Sequence, residues 1–298
     1  MTTPPRQVLP GTVYLVTRRC TQREFLLKPT ERTTSIFTYL LAVAARRTGI
    51  RLHAACVLSS HYHLVLTDPH AALPRFCQLL DGLVARVLNA TYGRWESFWG
   101  PASYSAVELV TPGDVVEKIA YTLANPAAAG LVAHGAEWPG LWTSPERIGG
   151  AAELVARPGV FFSKTGTMPE RAALTFSVPA GFDSPDAFRD AVRARLSALE
   201  REAAEELAAQ GRRFLGLHKL RRQKHTDRPA PGESRRKLNP RVACKDEEKR
   251  REALGRLVQF RSAYRAALQR LRDGARRVVF PPGTYLLRVH LGVACAAA

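Results

Sequence analysis

The sequence has little of the features that would insert a protein into a membrane or cross-link it. Among its 298 residues, no run approaches the roughly 18 apolar residues that a membrane span needs. The first residues do not combine a basic start with a long apolar run, so we expect a cytoplasmic protein with no membrane partner. The five cysteines are scattered, odd in number and without a CxxC pair, which argues against a disulfide framework and a structural zinc site.

Acidic residues are too few to balance the basic ones. The chain has 44 Lys and Arg against 26 Asp and Glu, a formal net charge of +18. Residues 211–280 hold 22 of the basic and 7 of the acidic residues, so this stretch carries +15 and the remainder only +3. A polyanion is the natural partner, because each neutralised phosphate releases condensed counterions. A solvated basic surface is the alternative, and it is usually better balanced by acids.

Strand-like and helix-like patterns alternate in the first half of the chain. The order β, α, β, β, α, β, α predicts an α+β fold, with an antiparallel sheet flanked by helices. Two of the strands are joined by a tight turn at Ser59 and Ser60. For the last helix, Thr111 is the expected cap and Pro112 the first residue, and Asn125 before Pro126 marks the expected end. The predicted segments are 11–19, 33–49, 51–59, 61–68, 73–94, 104–110 and 111–126.

The second half is mainly helical and basic. Residues 149–184 are rich in Pro and Gly and read as a linker or irregular lobe. A helix is predicted after Ser184 as its cap, and another from Asp246 to Gly274, followed by a short apolar β tail. The predicted domains are therefore 1–148, 149–184 and 185–298, the last an accessory DNA-binding region.

Two histidines, His61 and His63, lie one residue apart in the strand predicted at 61–68. Side chains alternate along a strand, so the two imidazoles share a face, with Cα atoms roughly 6.6 Å apart from a rise of about 3.3 Å per residue. This spacing lets both rings bind one metal ion, and imidazole is the commonest metal ligand. Two surface histidines are the alternative, and two ligands do not complete a site.

Tyr121 and Asn125 are four residues apart and therefore share a face of the last predicted helix. If that face turns toward the histidines, a phenol and a carboxamide oxygen reach the ion together. Tyrosine can attack phosphorus when a metal polarises the phosphate. The alternative is that Tyr121 is a core aromatic and Asn125 only a helix stop.

The motifs VLSSHYHLVL, FWGPASYSAVEL, YTLANPAAAGLV and WPGLWTSP, in this order, resemble the single-tyrosine HUH transposases, in particular the REP-associated tyrosine transposases. The resemblance covers about residues 11–145 and implies a ferredoxin-like HUH endonuclease fold. His61 and His63 match the metal histidines, Tyr121 matches the nucleophile, and Asn125 matches the polar residue turned toward the metal. Two departures stand out: Ser59 and Ser60 replace the usual Pro-Asn, and AAAG replaces Val-Arg-Ala-Gly, which removes an arginine.

The resemblance implies metal-dependent cleavage and transfer of single-stranded DNA through a 5′-phosphotyrosine on Tyr121. The cofactor it implies is Mg²⁺ or Mn²⁺, whereas ligand softness alone would favour Zn²⁺ with two imidazoles. The expected partner is single-stranded or hairpin DNA, and the protein is expected to be a monomer or a homodimer.

Two groups of residues are predicted to hold the DNA. Arg94 and Trp95 lie in an aromatic-rich stretch and are expected to be its most exposed members, where a ring can stack on a base and a cation can contact the backbone. The basic stretch from Arg212 to Arg241 can track phosphates but contains no recognisable base-reading pattern. Its predicted contacts are Arg212, Arg213, Lys219, Arg221, Arg222, Lys224, Arg235, Arg236 and Lys237.

Two other functions are compatible with the same residues. A metal-dependent hydrolase would complete the His61 and His63 pair with His53, His70 or His134 as a third ligand, and would not need Tyr121. A catalytically inactive DNA-binding regulator would use only the basic region, and would need neither the histidines nor the tyrosine.

Overall fold

The first half of the chain folds into four strands and three helices in the predicted order. The computed structural model describes residues 5–101, 103–159, 163, 166–229 and 240–297. A 3-10 turn at Thr21–Arg23 follows the first strand. The elements are β1 (Thr12–Arg19), α1 (Glu31–Thr48), β2 (Arg51–Leu58), β3 (His61–Asp68), α2 (Leu73–Tyr92), β4 (Ser105–Leu109) and α3 (Pro112–Ala128).

The second half contains longer helices and short strands. Two 3-10 turns, Gly135–Glu137 and Pro145–Arg147, precede them. Within the described residues, no helix is both long and apolar enough to cross a membrane. The elements are β5 (Glu153–Ala156), β6 (Arg171–Leu174), α4 (Pro185–Ala209), α5 (Leu217–Arg222), β7 (Val242–Ala243), α6 (Glu247–Arg272), β8 (Val279–Phe280), α7 (Leu286–Leu291) and β9 (Ala294–Cys295).

The central sheet has five strands in the order β2-β3-β1-β4-β7. The first four pair antiparallel, as predicted. The fifth, β7, pairs parallel with β4, so the sheet is mixed and the prediction of a purely antiparallel sheet is wrong at this edge. A strand of two residues is too short to show the alternation by which strands are recognised in a sequence. The basic half of the chain therefore supplies an edge strand to the sheet of the first half.

Alternate residues of β3 face two different helical layers. Tyr62 is fully buried, its ring lies 5.5 Å from that of Phe37 in α1, and its hydroxyl donates to Asp81 of α2 at 2.7 Å. The next residue, His63, has its ring 5.7 Å from that of Tyr121 in α3. Because neighbouring side chains on a strand point to opposite faces, α1 and α2 cover one face of the sheet and α3 covers the other.

The main core lies between the sheet and the helices α1 and α2. Phe37, Leu40, Leu64, Leu66 and Phe76 have no exposed surface. Complete burial of a side chain of this size contributes about 1.5–3 kcal/mol relative to leaving it in water. This packing fixes the strand that carries the two histidines.

Helix α3 begins where the sequence predicts. The Thr111 hydroxyl accepts a hydrogen bond from the Asp114 N–H at 3.2 Å, and the Asp114 carboxylate accepts one from the Thr111 N–H at 2.9 Å. This reciprocal cap satisfies two backbone donors that a helix start leaves unpaired. Pro112 is the first helical residue, where the missing N–H has no cost.

Helix α3 ends later than the sequence predicts. The predicted stop at Asn125 is wrong, because the helix continues through Pro126 to Ala128. A proline in the last turn removes one helical hydrogen bond, but its fixed φ is compatible with a helix. The Ala129 N–H still bonds the Asn125 carbonyl at 2.9 Å, and the Leu131 N–H bonds the Pro126 carbonyl at 3.0 Å. The extra turn keeps Tyr121 and Asn125 on one rigid element.

Residues 149–184, predicted to be a linker or irregular lobe, instead contribute to the main core. The strands β5 and β6 pair antiparallel within this interval. Ala172, Leu174 and Phe176 are buried and belong to the same apolar cluster as the residues of α1. The backbone of Phe176 also forms a bridge with Leu52 at the edge strand β2. The Pro and Gly content of the interval hid these short strands, and where the domain boundaries lie stays a prediction.

The two long helices of the second half begin close to the predicted positions, with Ser184 as the predicted cap of α4 and Asp246, predicted as the first residue of α6, as its cap. The Ser184 hydroxyl accepts from the Ala187 N–H at 3.1 Å, and the Asp246 carboxylate accepts from the N–H groups of Glu248 and Lys249 at 3.0 and 3.1 Å. Helix α4 packs on α3. All five cysteines are free, and four of them are buried, as expected of small core side chains.

Ion pairs fix α4 against α3. The Arg195 guanidinium holds both Glu117 carboxylate oxygens, at 2.9 and 3.1 Å. Lys245, beyond β7, donates to the same carboxylate at 2.9 Å. The two cations lower the pKa of Glu117, with the Arg195 hydrogen bond as the largest cause. The helix that carries Tyr121 is thus packed between the sheet and α4.

Candidate active site

The two histidines lie at the start of β3, directly after the tight turn at Ser59 and Ser60. His61 is the first residue of the strand and His63 the third, and their ring centroids are 4.9 Å apart. In the sheet register His63 lies opposite Thr17 of β1. The two imidazoles therefore share one face, as strand alternation leads one to expect.

Hydroxyl groups occupy one nitrogen of each imidazole. The Thr17 hydroxyl lies 2.9 Å from His63 Nδ1, and the Ser60 hydroxyl lies 3.1 Å from His61 Nδ1. Outer hydrogen bonds of this kind fix the ring orientation and tautomer of metal-binding histidines. This leaves Nε2 of His63 to bind a ligand in the cavity, whereas His61 also forms a hydrogen bond with Asn125.

Burial keeps both imidazoles neutral at physiological pH. It lowers the pKa of His61 to about 3, assisted by the positive charges of Arg19 and Arg23 and opposed by a hydrogen bond with Asn125. Burial also lowers the pKa of His63 well below its ordinary value, and the neighbouring His61 and Arg19 act in the same direction. A neutral imidazole has the lone pair that a metal ion needs.

Helix α3 brings the predicted tyrosine and asparagine to the histidines. The Tyr121 ring centroid is 5.7 Å from that of His63, and 38% of Tyr121 is exposed. Asn125 is only 8% exposed, and its Nδ2 donates to the Tyr121 carbonyl at 3.0 Å. The Asn125 oxygen is thereby left to face His61, whose hydrogen bond with Asn125 raises the pKa of the imidazole. Lys118 places its ammonium 5.3 Å from the Tyr121 ring centroid.

The tryptophan-rich segment after α3 holds this helix against the hairpin of β2 and β3, here called the histidine hairpin. Trp138 Nε1 donates to the Val57 carbonyl of β2 at 2.8 Å, and Trp142 Nε1 donates to the Leu123 carbonyl of α3 at 2.9 Å. Each bond is buried or partly buried, where losing a partner costs about 1–3 kcal/mol. The distance between Tyr121 and the histidines is thus set by packing and not by a flexible loop.

A cavity of about 470 Å³ lies between the histidine strand and α3. Sequence reasoning identified His61, His63, Tyr121 and Asn125 in its wall but missed several other polar residues. The polar residues it did not assign to the cavity are Arg19, Arg23, Ser59, Ser60 and Gln223.

Of the two arginines in the cavity wall, a sequence pattern could have identified Arg19 but not Arg23. Arg19 pairs with His61 in the register of β1 and β3, so the alternation of β1 could have found it. Arg23 follows Gln22 in a tight turn where both residues have positive φ, 61° and 46°. Strained backbone of this kind collects at functional sites, but no pattern in the sequence announces it. The two guanidiniums make the cavity suited to an anion.

The protein donors fit a divalent ion that shares its coordination with a substrate. Among the described residues, no group of three or more His, Cys, Asp or Glu side chains is arranged to hold a metal. His61, His63 and the Asn125 oxygen would be the protein ligands. A hard cation such as Mg²⁺ takes six ligands and usually keeps several waters or phosphate oxygens. The set is therefore compatible with an ion bound between protein and phosphate.

The three other histidines weighed as ligands do not line the cavity. His53 is buried elsewhere in the sheet, with Nδ1 2.6 Å from the Ser177 carbonyl and Nε2 2.7 Å from the Thr67 hydroxyl. Burial lowers its pKa to about 4. His134 pairs with Glu200 at 3.0 Å, and His70 is exposed. Each lies outside the cavity, so in this structure none of the three supplies the third ligand that the hydrolase alternative needs.

Arg94 and Trp95, the predicted aromatic-stretch contacts, differ in exposure. Trp95 is 88% exposed and can stack on a base. The Arg94 side chain is only 18% exposed and forms an ion pair with Glu24 at 3.2 Å. The expectation that Arg94 is exposed is therefore wrong, and its role in DNA binding stays a prediction.

The predicted basic contacts that the structure describes are all exposed, and none forms a salt bridge with a described residue. Their side chains are thus accessible to a phosphate backbone, although DNA binding by them stays a prediction. They are Arg212, Arg213, Lys219, Arg221, Arg222 and Lys224. The remaining three, Arg235, Arg236 and Lys237, lie outside the described residues.

The solved structures that are similar to this chain include two transposases. One is a REP-associated tyrosine transposase bound to a REP hairpin, with 18% sequence identity over 47% of this chain and 81% of that one, at a TM-score of 0.40. The other is a candidate transposase from Deinococcus radiodurans R1, with 22% identity over 36% of this chain and 85% of that one, at a TM-score of 0.28. No protein-family model and no curated protein matches the sequence.

Proposed function

We propose that the protein cleaves single-stranded DNA and transfers the strand through a covalent bond to Tyr121. The observation that supports this most is a single cavity that combines Tyr121 with the two neutral imidazoles of His61 and His63. A nucleophile, two metal-binding nitrogens and two arginines in one cavity are the parts that phosphoryl transfer to a tyrosine requires.

The chemistry proceeds in two balanced steps. The Tyr121 oxygen attacks a DNA phosphorus, the new bond forms a 5′-phosphotyrosine, and the bond from phosphorus to the 3′ oxygen breaks. The phenol gives its proton to solvent, which reaches the 38% exposed side chain, and the leaving oxygen takes up a proton as a free 3′-hydroxyl. In the second step a 3′-hydroxyl attacks the phosphotyrosine and restores the phenol, so strands are joined without ATP.

His61, His63 and Asn125 would hold the divalent ion. When bound, Mg²⁺ or Mn²⁺ supplies Lewis-acid stabilisation of the charge that develops on the phosphate. Two imidazoles alone also suit Zn²⁺, so the proposed metal rests on the resemblance to single-tyrosine HUH transposases. Arg19 and Arg23 would hold the non-reacting phosphate oxygens, and Thr17 and Ser60 would keep the imidazoles oriented.

The DNA would run from this cavity across the basic surface. The six exposed cations between Arg212 and Lys224 are the proposed backbone contacts, and Trp95 is the proposed stacking platform. Arg94 is proposed as a contact only where DNA displaces its ion pair with Glu24. Whether the strand belongs to a hairpin, and whether the working protein is a monomer or a homodimer, are separate parts of the proposal.

The test is the formation of a covalent adduct. Purified protein is mixed with labelled single strands from the flanks of its own gene, with Mn²⁺ or Mg²⁺, and separated on a denaturing gel. We expect a metal-dependent protein–DNA adduct with the native chain and none with Tyr121→Phe. The matched control is Tyr264→Phe, which also removes one phenolic oxygen but lies on α6 against Phe260 and Phe280.

The other outcomes favour the other functions. Cleavage without an adduct that survives in Tyr121→Phe would contradict the proposal and favour a metal-dependent hydrolase. Binding without cleavage, unaffected by Tyr121→Phe and by substitution of His61, would favour a catalytically inactive regulator.

A further inference from the structure

One wall of the cavity comes from the basic half of the chain. Residues 217–229, here called the docked segment, comprise α5 and the turn that follows it. Leu220 of this segment has no exposed surface and packs in a cluster with Leu58 of β2 and with Val132 and Trp138 after α3. Full burial of a leucine contributes about 1.5–3 kcal/mol, so this side chain anchors the segment beside the histidine hairpin.

Further contacts fix the far end of the docked segment. The Phe25 N–H donates to the Asp227 carbonyl at 2.9 Å. The His225 ring stacks on Tyr92 with centroids 4.4 Å apart and planes within 4°. The segment is thus held at both ends, and side chains between Leu220 and His225 have a defined direction.

Gln223 is the polar residue that the docked segment contributes to the cavity wall, together with His61 and Tyr121. Its Oε1 is buried and has no hydrogen-bond partner among the described residues. Ser59, which is 5% exposed and lines the same cavity, also has a hydroxyl without a partner in that part of the chain. Buried polar groups are nearly always paired, and each exception needs an explanation. Because protein atoms cover Oε1 in this orientation, a ligand in the cavity would pair with it after the Gln223 carboxamide turns toward the cavity.

The chemistry of Gln223 excludes a phosphate as the partner of its oxygen. Oε1 accepts hydrogen bonds, and a phosphodiester has only acceptors. The donors of a DNA strand are on its bases. A glutamine carboxamide pairs best with adenine, whose N6 amino group donates to Oε1 while N7 accepts from Nε2. Arg19 and Arg23 in the same cavity are suited to the phosphates on either side of such a base.

We propose that Gln223 reads an adenine of the strand bound in the cavity and so determines which DNA is used. This assignment rests on the proposed function, because it requires a single strand in the cavity. The basic half of the chain then has two roles. Its lysines and arginines bind the backbone without regard to sequence, and Gln223 selects the base.

The test measures binding without cleavage. Full-length protein carrying Tyr121→Phe is used to select strands from a fully randomised single-stranded DNA pool, and the bound strands are sequenced. The same selection is made with Gln223→Leu and with Gln223→Glu added. The matched control is Gln259→Leu, at an exposed glutamine on α6 outside the cavity.

We expect adenine to be enriched at one position by about five- to hundredfold, the discrimination of one well-placed base contact. Gln223→Leu should remove the preference at that position only, and Gln223→Glu should move it to cytosine, whose N4 amino group a carboxylate accepts. Gln259→Leu should keep the preference for adenine at that position.

The assignment would be overturned by an unchanged preference in Gln223→Leu, by a preference for guanine or thymine that depends on Gln223, or by no retention of single strands. A loss of binding in Gln223→Leu that is equal for all sequences would also overturn it, because it would show that the substitution disrupts the cavity wall and not the recognition of a base. The adduct assay with the native chain decides the proposed function separately. Failure of the base preference with an adduct present contradicts only the role of Gln223.

Discussion

The two faces of β3 use polar groups in different ways. On the core face, the Tyr62 hydroxyl donates to Asp81, whose other oxygen lies 3.7 Å from Arg18 Nε. On the opposite face, one nitrogen each of His61 and His63 is paired with a hydroxyl, and both imidazoles line a cavity. Burial is similar on the two faces, so burial alone does not identify a site. The difference is that the polar side chains of the site face line a cavity, whereas Tyr62 and Asp81 on the core face do not.

The largest expected effect comes from replacing one residue on each face of β3 by alanine and comparing the two variants. His63→Ala should weaken Mn²⁺ binding by at least about 100-fold, since even outer partners of metal ligands are worth about 10–100-fold. Leu64→Ala, on the core face, should leave Mn²⁺ affinity intact but lower the free energy of unfolding by about 2–5 kcal/mol. Calorimetric Mn²⁺ titration and denaturant unfolding of both variants measure the two quantities.

A matching loss of Mn²⁺ affinity in the folded Leu64→Ala protein would contradict the division between the faces. So would a His63→Ala protein that binds Mn²⁺ and forms the DNA adduct as the native chain does.

The second prediction concerns how the free energy of unfolding changes with pH. The contributions of Asp81 on the core face and His61 on the site face have opposite signs. Burial raises the pKa of Asp81 from 3.8 to about 6, with the Tyr62 hydrogen bond and the charge of Arg18 opposing it. The folded state therefore holds this proton more tightly than the unfolded state, and the free energy of unfolding should fall as the pH rises from about 4 to about 6. Asp81→Asn should remove this fall, a difference of about 3 kcal/mol at most.

His61 on the site face behaves in the opposite way. Its pKa is lowered to about 3, so the unfolded chain takes up a proton that the folded chain does not. Its contribution to stability is lost as the pH falls below about 6.5, the ordinary value of a histidine. Denaturant unfolding of the native chain and Asp81→Asn across this pH range gives the comparison. Parallel stability curves for the two proteins between pH 4 and 6 would show that Asp81 titrates normally.

The smallest predicted effect concerns a hydroxyl beside a histidine. Thr17→Val keeps the shape of the side chain but removes the hydrogen bond to His63 Nδ1, and should weaken Mn²⁺ binding by about 10–100-fold. Thr67→Val is the matched control, because it removes the equivalent hydroxyl from His53, outside the cavity. Equal Mn²⁺ affinities in the two variants would mean that the Thr17 hydroxyl does not orient a ligand.

Local patterns were enough to predict the central part of the site. Alternation along β3 places His61 and His63 on one face, and the helical repeat places Tyr121 and Asn125 together, whatever the rest of the fold does. The same kind of reasoning predicts the tight turn at Ser59 and Ser60 and the helix caps Thr111 and Ser184. These features depend on residues within a few positions of each other.

The remainder depends on tertiary structure. Gln223 reaches the cavity because Leu220 is buried against β2, about 160 positions earlier in the chain. Arg94 is withdrawn from solvent by Glu24, and β7 is a strand only because β4 offers an edge. Asn125 before Pro126 predicts a helix stop, because the propensity of single residues contains nothing about the packing that carries α3 on to Ala128. No window of neighbouring residues contains this information.

The central claim is that Tyr121 becomes covalently attached to DNA, and mass spectrometry of the adduct tests it most directly. After nuclease trimming and tryptic digestion, the nucleotide mass should lie on the peptide of residues 119–147, in which Tyr121 is the only tyrosine. Fragmentation should assign it to that side chain, and omission of divalent metal should abolish it. A nucleotide on any other peptide, or strand transfer with this peptide unmodified, would contradict the claim.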